Sequence, residues 1–296
     1  MSLFAGLEEI VTENQPLADF TWFKIGGPAR YFVKPRSTDD LKTALRRCRE
    51  NNVPWRILGH GANLLVDDKG VEGAVIKLDE SGFGKMEIVE ERIVRIGGAV
   101  SLAGMVLQCV RKGLSGAETL VGIPGSVGGA VKMNAGGRFG DIGAFITKIT
   151  VVDSSGGSFS REKPELNFEY RWANIYDQIV TEAELEFVPD DPQRLMTKMR
   201  EVWILKKTAQ PLSSRSAGCV FKNPSPDKPA GALIDKAGLK GLTVGGAKIS
   251  EQHANFIVVE PGVRFIDIIS IIDRIKTAVF EKFGIDLELE IDIWED

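Results

Sequence analysis

An α+β architecture in two domains is what this sequence predicts, and three observations carry the prediction. Helix-like and strand-like segments are mixed without a regular strand–helix–strand alternation, which disfavours a doubly wound parallel sheet. The length, 296 residues, is more than one small core fills and suits about two domains of ordinary size. The run Pro189-Asp190-Asp191-Pro192 has the composition of a linker, and it divides the chain into 1–189 and 190–296.

The elements follow in order. Thr38 can cap a helix starting at Asp39-Asp40, in which Leu41, Ala44, Leu45 and Cys48 recur at the spacing of a buried stripe. Strands are expected at Val53–Leu58, Gly73–Leu78 and Ile88–Ile96, and a helix at Ser101–Lys112. Between Gly113 and Gly143 periodicity gives way to a long glycine-rich stretch, and loops of that length in compact domains are usually functional. Strands resume at Ile146–Val152 and Ile179–Val188, separated by the turn residues Ser154–Gly157. Beyond the linker come a helix rich in Met, Lys and Arg ending near Lys207, a Gly- and Pro-containing segment from Ser213 to Pro229, a short helix around Ala232–Ala237 and a strand at Asn255–Val259. The last long helix turns Phe265, Ile268, Ile269, Ile272, Ile275 and Val279 inward and leaves Asp273, Arg274, Lys276 and Glu281 for solvent. A final strand is expected at Ile285–Ile293.

Composition excludes several classes of function. Hydrophobic residues are 43% and charged residues 26%, as in ordinary soluble globular proteins. Lys and Arg number 37 against 41 Asp and Glu, so the chain lacks the basic field that a nucleic-acid surface needs. The most apolar early segment, Met1–Val11, is broken by Glu8 and Glu9, and no stretch approaches the roughly 18 apolar residues of a membrane helix. The three cysteines, Cys48, Cys109 and Cys219, form no CxxC pair, which argues against a zinc site or a disulfide framework. A reducing cytoplasm is the expected location. Cys48 and Cys109 lie on apolar helical faces and are expected in the core, whereas Cys219 follows a glycine in a different setting.

Two glycine loops are the candidates for ligand binding. The run Gly122-Ile123-Pro124-Gly125-Ser126-Val127-Gly128-Gly129 has four glycines in eight positions, and Asn134-Ala135-Gly136-Gly137 follows closely. Glycines permit left-handed turns and remove the Cβ atoms that would keep a diphosphate from successive N–H donors, to which Ser126 and Asn134 add side-chain hydrogen bonds. The other loop, Gly59-His60-Gly61-Ala62-Asn63-Leu64, matches only the first two glycines of the fingerprint G-x-G-x-x-G, with Leu64 in the third place. Each loop alone could be a set of plain turns. Two of them, each beside a strand, point to a dinucleotide clamp.

Five ordered blocks carry a family resemblance: Thr21-Trp22-Phe23-Lys24-Ile25-Gly26-Gly27-Pro28-Ala29 with both loops, Gly218-Cys219-Val220-Phe221-Lys222-Asn223-Pro224, the segment Gly231–Leu239, Gly245-Gly246-Ala247-Lys248-Ile249-Ser250, and His253-Ala254-Asn255-Phe256. In these blocks the chain resembles the UDP-N-acetylenolpyruvoylglucosamine reductases, also called UDP-N-acetylmuramate dehydrogenases, over nearly its whole length. The resemblance implies a p-cresol-methylhydroxylase-type FAD-binding fold for the first part and a smaller α/β substrate domain for the second. It implies non-covalent FAD, NADPH as hydride donor and small-molecule substrates; a monomer is expected. The length suggests the shorter type of the family, without the extra tyrosine loop.

The family's reaction delivers electrons from NADPH, by way of FAD, to the terminal carbon of an enolpyruvyl ether. That double bond is not electrophilic until its carboxylate is polarised, and the enolate-like intermediate then needs stabilisation and a proton. By similarity, Arg171 in Phe168-Glu169-Tyr170-Arg171 and Glu290 in Leu287-Glu288-Leu289-Glu290 act on the substrate carboxylate. A bare carboxylate beside an enolate is repulsive, so Glu290 must be protonated there or pair through Arg171. Leu289 stands where a proline is usual, so Glu288 is an alternative to Glu290. The proton donor of the family is usually a serine, and Cys219 occupies its position. A thiol with a reference pKa of about 8.5 is only about 3% ionised at pH 7 and remains a competent acid. The alternative for Cys219 is a buried structural cysteine with water as donor. Lys207 and Asn223 match substrate or phosphate ligands, and Tyr170 adjoins the arginine. The alternative for Lys207 is a solvated residue at a helix end. Ala62 replaces a common serine in the first loop, and Trp172-Ala173 replaces a stretch that often ends in serine. The matched cofactor positions are Gly59, His60, Gly61, Ala62, Asn63, Leu64, Gly122, Ile123, Pro124, Gly125, Ser126, Gly128, Gly129, Asn134, Ala135 and Gly136.

Both histidines have plain alternatives. His60 invites comparison with flavoproteins that attach FAD covalently, and His253 is expected to be a hydrogen-bonded structural residue. Two rival functions remain: an oxidase of the same flavin fold that returns electrons to oxygen, and a nucleotide-binding protein that kept the fold and lost catalysis at Cys219 and Ala62.

Overall fold

Ile146–Asp153 and Gln178–Glu186, each bearing several buried residues, are neighbouring inner strands of the largest sheet. The computed structural model describes residues 3–295. Its contacts divide the chain into two compact units. The first comprises 1–15, 30–60 and 72–204, and the second 16–29, 61–71 and 205–296.

In the first unit, five antiparallel strands run in the spatial order Ser158–Glu162, Ile146–Asp153, Gln178–Glu186, Ile93–Gly97, Met86–Val89. A second sheet contains Val11–Pro16, Pro28–Val33, Val71–Ile76 and Trp55–Ile57, the last two paired in parallel. Helix α1 (Thr38–Glu50) buries Leu41, Ala44, Leu45 and Cys48, as the periodicity predicts. Its cap is Ser37 rather than Thr38, because the Ser37 hydroxyl accepts from the Asp40 N–H at 3.1 Å. The short helix α2 (Glu80–Phe83) follows, and α3 (Leu102–Arg111) is capped by Ser101. Helix α4 (Val127–Lys132) lies inside the glycine-rich run. The expected strand Ile88–Ile96 is instead a hairpin, since Glu90 and Glu91 take positive φ values of 52° and 59° and fold Met86–Val89 onto Ile93–Gly97.

Helix α5 (Pro192–Ala209) accounts for the main difference from a single cut at 189/190. Leu195 is fully buried in the core formed by Leu102, Val106, Leu114 and Ile146, so the helix belongs to the first unit as far as Ile204.

The second unit is not a continuous C-terminal segment. Phe23, Ile25 and Leu65 enter the same core as Val220, Phe221, Ile268, Ile271, Ile272 and Val279. Helices α6 (Ala230–Lys236) and α7 (Phe265–Phe283) pack there beside three antiparallel strands, Thr243–Val244, Ala247–Ile249 and Ile257–Val259. The face of α7 is buried largely as expected, with Ile271 fully buried and Ile269 only partly so. The expected strand at Ile285–Ile293 shrinks to Asp292–Trp294, which pairs in parallel with Leu64–Val66. Mixed helix and strand content of this kind is α+β.

Candidate functional site

The first glycine loop begins in the first unit and continues into the second. A Cβ on Gly59 would lie 2.6 Å from Ser126 Oγ, so the two glycine loops meet through a backbone that tolerates no side chain here. The half-buried His60 is in hydrogen-bond contact with main-chain groups of Ala99 and Gly125. Burial, and secondarily the charge of Lys77, lowers its pKa. Lys77 itself donates from Nζ to the Gly59 carbonyl at 2.8 Å, and burial lowers its pKa as well. Nothing in the spacing of the sequence marks Lys77, because its role is set by strand pairing that brings it against a loop 18 positions away.

In the second unit, Gly61 has φ +62° and its carbonyl accepts from the Trp22 N–H at 3.0 Å. A side chain there would collide with the Phe20 carbonyl, so glycine is required. Ala62 and Leu64 are buried, and Asn63 donates its side-chain amide to the Glu290 carbonyl at 2.8 Å.

The glycine-rich run departs from a simple phosphate cradle. The amides of Val127 and Gly128 donate to Val100 and Gly98 carbonyls, and that of Gly129 donates to Ser126 Oγ at 3.3 Å. Gly128 and Gly129 therefore spend their donors on holding α4, and Ser126 serves as its cap. The part of the run that remains open is the turn at Gly122, Ile123, Pro124 and Gly125, with φ +76° at Gly122 and +126° at Gly125 and nothing within 4 Å of a Cβ on the latter. Further along, the Ala135 carbonyl accepts from Ile142 N–H and Gly136 pairs with Asp141.

Asn134, expected to face a ligand, is buried and tied within the protein: Nδ2 donates to the Glu169 carbonyl at 2.8 Å and Oδ1 accepts from Gly143 N–H at 2.9 Å. Glu169 ends one strand of a minimal hairpin, Phe168–Glu169 with Trp172–Ala173, whose two-residue turn is Tyr170-Arg171. Arg171 has φ +56°, its side chain is 15% exposed, and its guanidinium lies 5.0 Å from the Tyr170 ring centroid and 3.9 Å from Asp141 Oδ1. A planar cation on an aromatic face offers a fork of N–H donors that suits a carboxylate ligand.

Cys219 is half-buried, follows Gly218 at φ +80°, and bridges to Phe256. Asn255, 3% exposed, clamps the segment: Oδ1 accepts from Phe221 N–H at 3.0 Å and Nδ2 donates to the Phe221 carbonyl at 2.8 Å. On the other side, the Val220 carbonyl accepts from Glu290 N–H at 2.8 Å, so the main chains of Cys219 and Glu290 are neighbours. Glu290 is half-buried, whereas Glu288 is exposed and paired with Lys222. Asn223 Oδ1 accepts from Ala230 N–H at 3.0 Å at the start of α6. Lys207 is exposed near the end of α5, and its carbonyl accepts from Gln252. His253 is structural: Nδ1 accepts from Asn255 N–H at 3.3 Å, the ring stands edge-on to Phe256, and burial followed by Lys240 lowers its pKa. Burial pushes the Cys48 thiol up to about 11 and the Cys109 thiol up to about 12, as suits core residues.

A dinucleotide that needs close backbone approach fits the turn at Gly122–Gly125, since the space a Cβ on Gly125 would enter is open for at least 4 Å. Residues 29–160 match the family model described as an FAD binding domain, and residues 210–294 match that of the UDP-N-acetylenolpyruvoylglucosamine reductase C-terminal domain. The chain is 40% identical over 286 residues to the UDP-N-acetylenolpyruvoylglucosamine reductase of Anoxybacillus flavithermus, covering 96% of this chain and 94% of that protein. It is 39% identical to the Bacillus subtilis protein of the same name, covering 96% and 93%. Its fold matches the crystal structure of UDP-N-acetylenolpyruvylglucosamine reductase from Thermus caldophilus with a TM-score of 0.83 at 38% identity, over 96% of this chain and 98% of that one. With this identity sustained across almost the whole length, and both domain models matched in order, the chain belongs to the UDP-N-acetylenolpyruvoylglucosamine reductase family.

Proposed function

We infer that this protein is a flavoprotein oxidoreductase that reduces UDP-N-acetylglucosamine-enolpyruvate to UDP-N-acetylmuramate with NADPH, in peptidoglycan precursor synthesis. The observation that carries this reading is the bond from Glu290 N–H to the Val220 carbonyl, which sets Cys219 beside the carboxyl-bearing segment in a chain of this family. FAD, held non-covalently, supplies the two-electron relay between NADPH and the enolpyruvyl double bond.

Gly59, His60, the residues Gly61–Leu64 and the turn Gly122–Gly125 would hold the cofactor. Arg171, seated on Tyr170, binds the substrate carboxylate by its fork of N–H donors and draws charge from the double bond. Glu290 assists while protonated or paired with a cation, because an ionised carboxylate would oppose the developing enolate. Cys219 holds the proton that quenches it. Lys207 and Asn223 bind the nucleotide phosphates. Among the described residues no helix is long and apolar enough to cross a membrane, and we place the protein in the cytoplasm, as a monomer acting on soluble nucleotides.

An anaerobic titration tests the assignment. NADPH should bleach the yellow protein, and UDP-N-acetylglucosamine-enolpyruvate should restore the colour without oxygen. Flavin that stays with acid-precipitated protein, or that only oxygen reoxidises, would instead point to an oxidase.

A further inference from the structure

We propose that Asn134 positions Arg171, by fixing at once the two main-chain segments that present Arg171 and its partner Asp141. This rests on the reading of Arg171 as the carboxylate-binding residue.

The hairpin bearing Arg171 cannot hold itself. Each strand has two residues, with pairs Glu169↔Trp172 and Phe168↔Ala173, and isolated two-stranded ribbons are marginal even when longer. Its turn also places an arginine at φ +56°, a left-handed conformation that costs a non-glycine residue free energy and persists only where its surroundings enforce it. The base of the segment is tied by Arg161, whose Nη1 donates to the Asn174 carbonyl at 2.8 Å and Nη2 to the Glu165 carbonyl at 2.7 Å. The tip is tied by Asn134, through the carbonyl of Glu169, the residue just before the turn.

The other end of the same amide holds Gly143 N–H, two residues after Asp141. Gly143 lies flat on the hairpin, where a Cβ would sit 2.5 Å from Phe168 Cγ. One planar amide thus fixes the spacing between the segment carrying Arg171 and the segment carrying Asp141, whose side chains face each other at 3.9 Å. The task needs a donor and an acceptor on one short side chain, in a residue that tolerates φ +45°, and among the twenty residues asparagine suits it best. Asn134 follows α4 after the single residue Met133, so the end of the glycine-rich run is joined to the segment carrying the arginine.

The test uses the full-length holoenzyme. Asn134→Gly keeps the left-handed backbone and deletes both bonds, and Asn134→Asp keeps the acceptor while setting a carboxylate against the Glu169 carbonyl. Both should retain FAD and be reduced by NADPH within about twofold of the parent, and both should be reoxidised by the enolpyruvyl substrate at least about tenfold more slowly, as misplacement of a binding group implies. In an Arg171→Ala background, Asn134→Gly should add less than about twofold, because its effect passes through the arginine. A full additional effect in that background overturns the proposal, as does loss of FAD or an equal slowing of both half-reactions. Failure of both variants to fold makes Asn134 a folding residue and also overturns it. If Arg171→Ala alone leaves reoxidation unchanged, the reading of Arg171 fails, and this single variant separates that failure from one at Asn134.

Discussion

Asn63 grips the segment that carries Glu290: its side-chain Nδ2 donates to the Glu290 carbonyl at 2.8 Å, and its own carbonyl accepts from Asp292 N–H at 3.0 Å. A residue of the first glycine loop therefore sets the position of a carboxyl-bearing segment 227 positions away. Replacement by Ala should destabilise the protein by about 1–2 kcal/mol, the usual cost of leaving a part-buried carbonyl unpaired. Asn63→Asp is isosteric but sets a carboxylate against that carbonyl, and it should be worse than Ala. Urea unfolding midpoints for the two variants check the order, and an Asp variant as stable as the parent would remove this bond from the account.

Glu290 and Glu288 are separated by their surroundings. Glu288 has a side chain 73% exposed and paired with Lys222, and exposed ion pairs contribute about 0–1 kcal/mol. Glu288→Gln should alter neither half-reaction by more than about twofold. Glu290→Gln should spare flavin reduction and slow reoxidation by the enolpyruvyl substrate by about 100-fold or more, the range for a group acting in general acid–base or electrostatic catalysis. Stopped-flow traces with the roles reversed would transfer the assignment to Glu288.

For Cys219 the expectation is equally specific. Cys219→Ala should still be reduced by NADPH and should be reoxidised about 100-fold or more slowly, because the site has lost its acid. Cys219→Ser should recover most of that rate, since a hydroxyl fills the same place beside Phe256 and Val220. Equal reoxidation rates for the Ala variant and the parent, measured anaerobically, would leave Cys219 as a packing residue with water as the donor.

Much of this was legible in local sequence. The face of α7 follows from apolar spacing, Ser101 announces α3, and the glycines at 59 and 61 mark a backbone that must come close to something. What local sequence could not show are contacts decided by distant pairing. Phe23 and Leu65 enter the C-terminal core only because the chain returns to it twice, and no linker marks those crossings. Asn134 looks like a ligand-binding side chain in a glycine run, since nothing nearby says that Glu169 and Gly143 will claim both ends of its amide. Asn255 was equally silent, because its partner is the backbone of Phe221, 34 positions earlier. The turn at Glu90-Glu91 hides for another reason: two glutamates at positive φ carry none of the usual turn chemistry.

The two histidines give stability a distinct dependence on pH. His253 and His60 both have pKa values lowered from the ordinary 6.5, chiefly by burial, so the folded protein holds each proton less tightly than the unfolded chain does. Between the folded value and 6.5 the unfolded state binds more protons, and stability therefore rises with pH across that window. It should be fully present above 6.5 and decline on acidification, before any loss from Asp153 and Asp267, whose lowered carboxyl pKa values place their contribution above 3.8 and its loss below. His253→Asn keeps an acceptor for Asn255 N–H and removes one of the two titrations. Urea midpoints measured from about pH 7.5 down to about pH 5 should fall for the parent and fall less for this variant. Identical slopes would mean that His253 is as readily protonated in the folded protein as in the unfolded chain, and that its burial has no part in acid sensitivity.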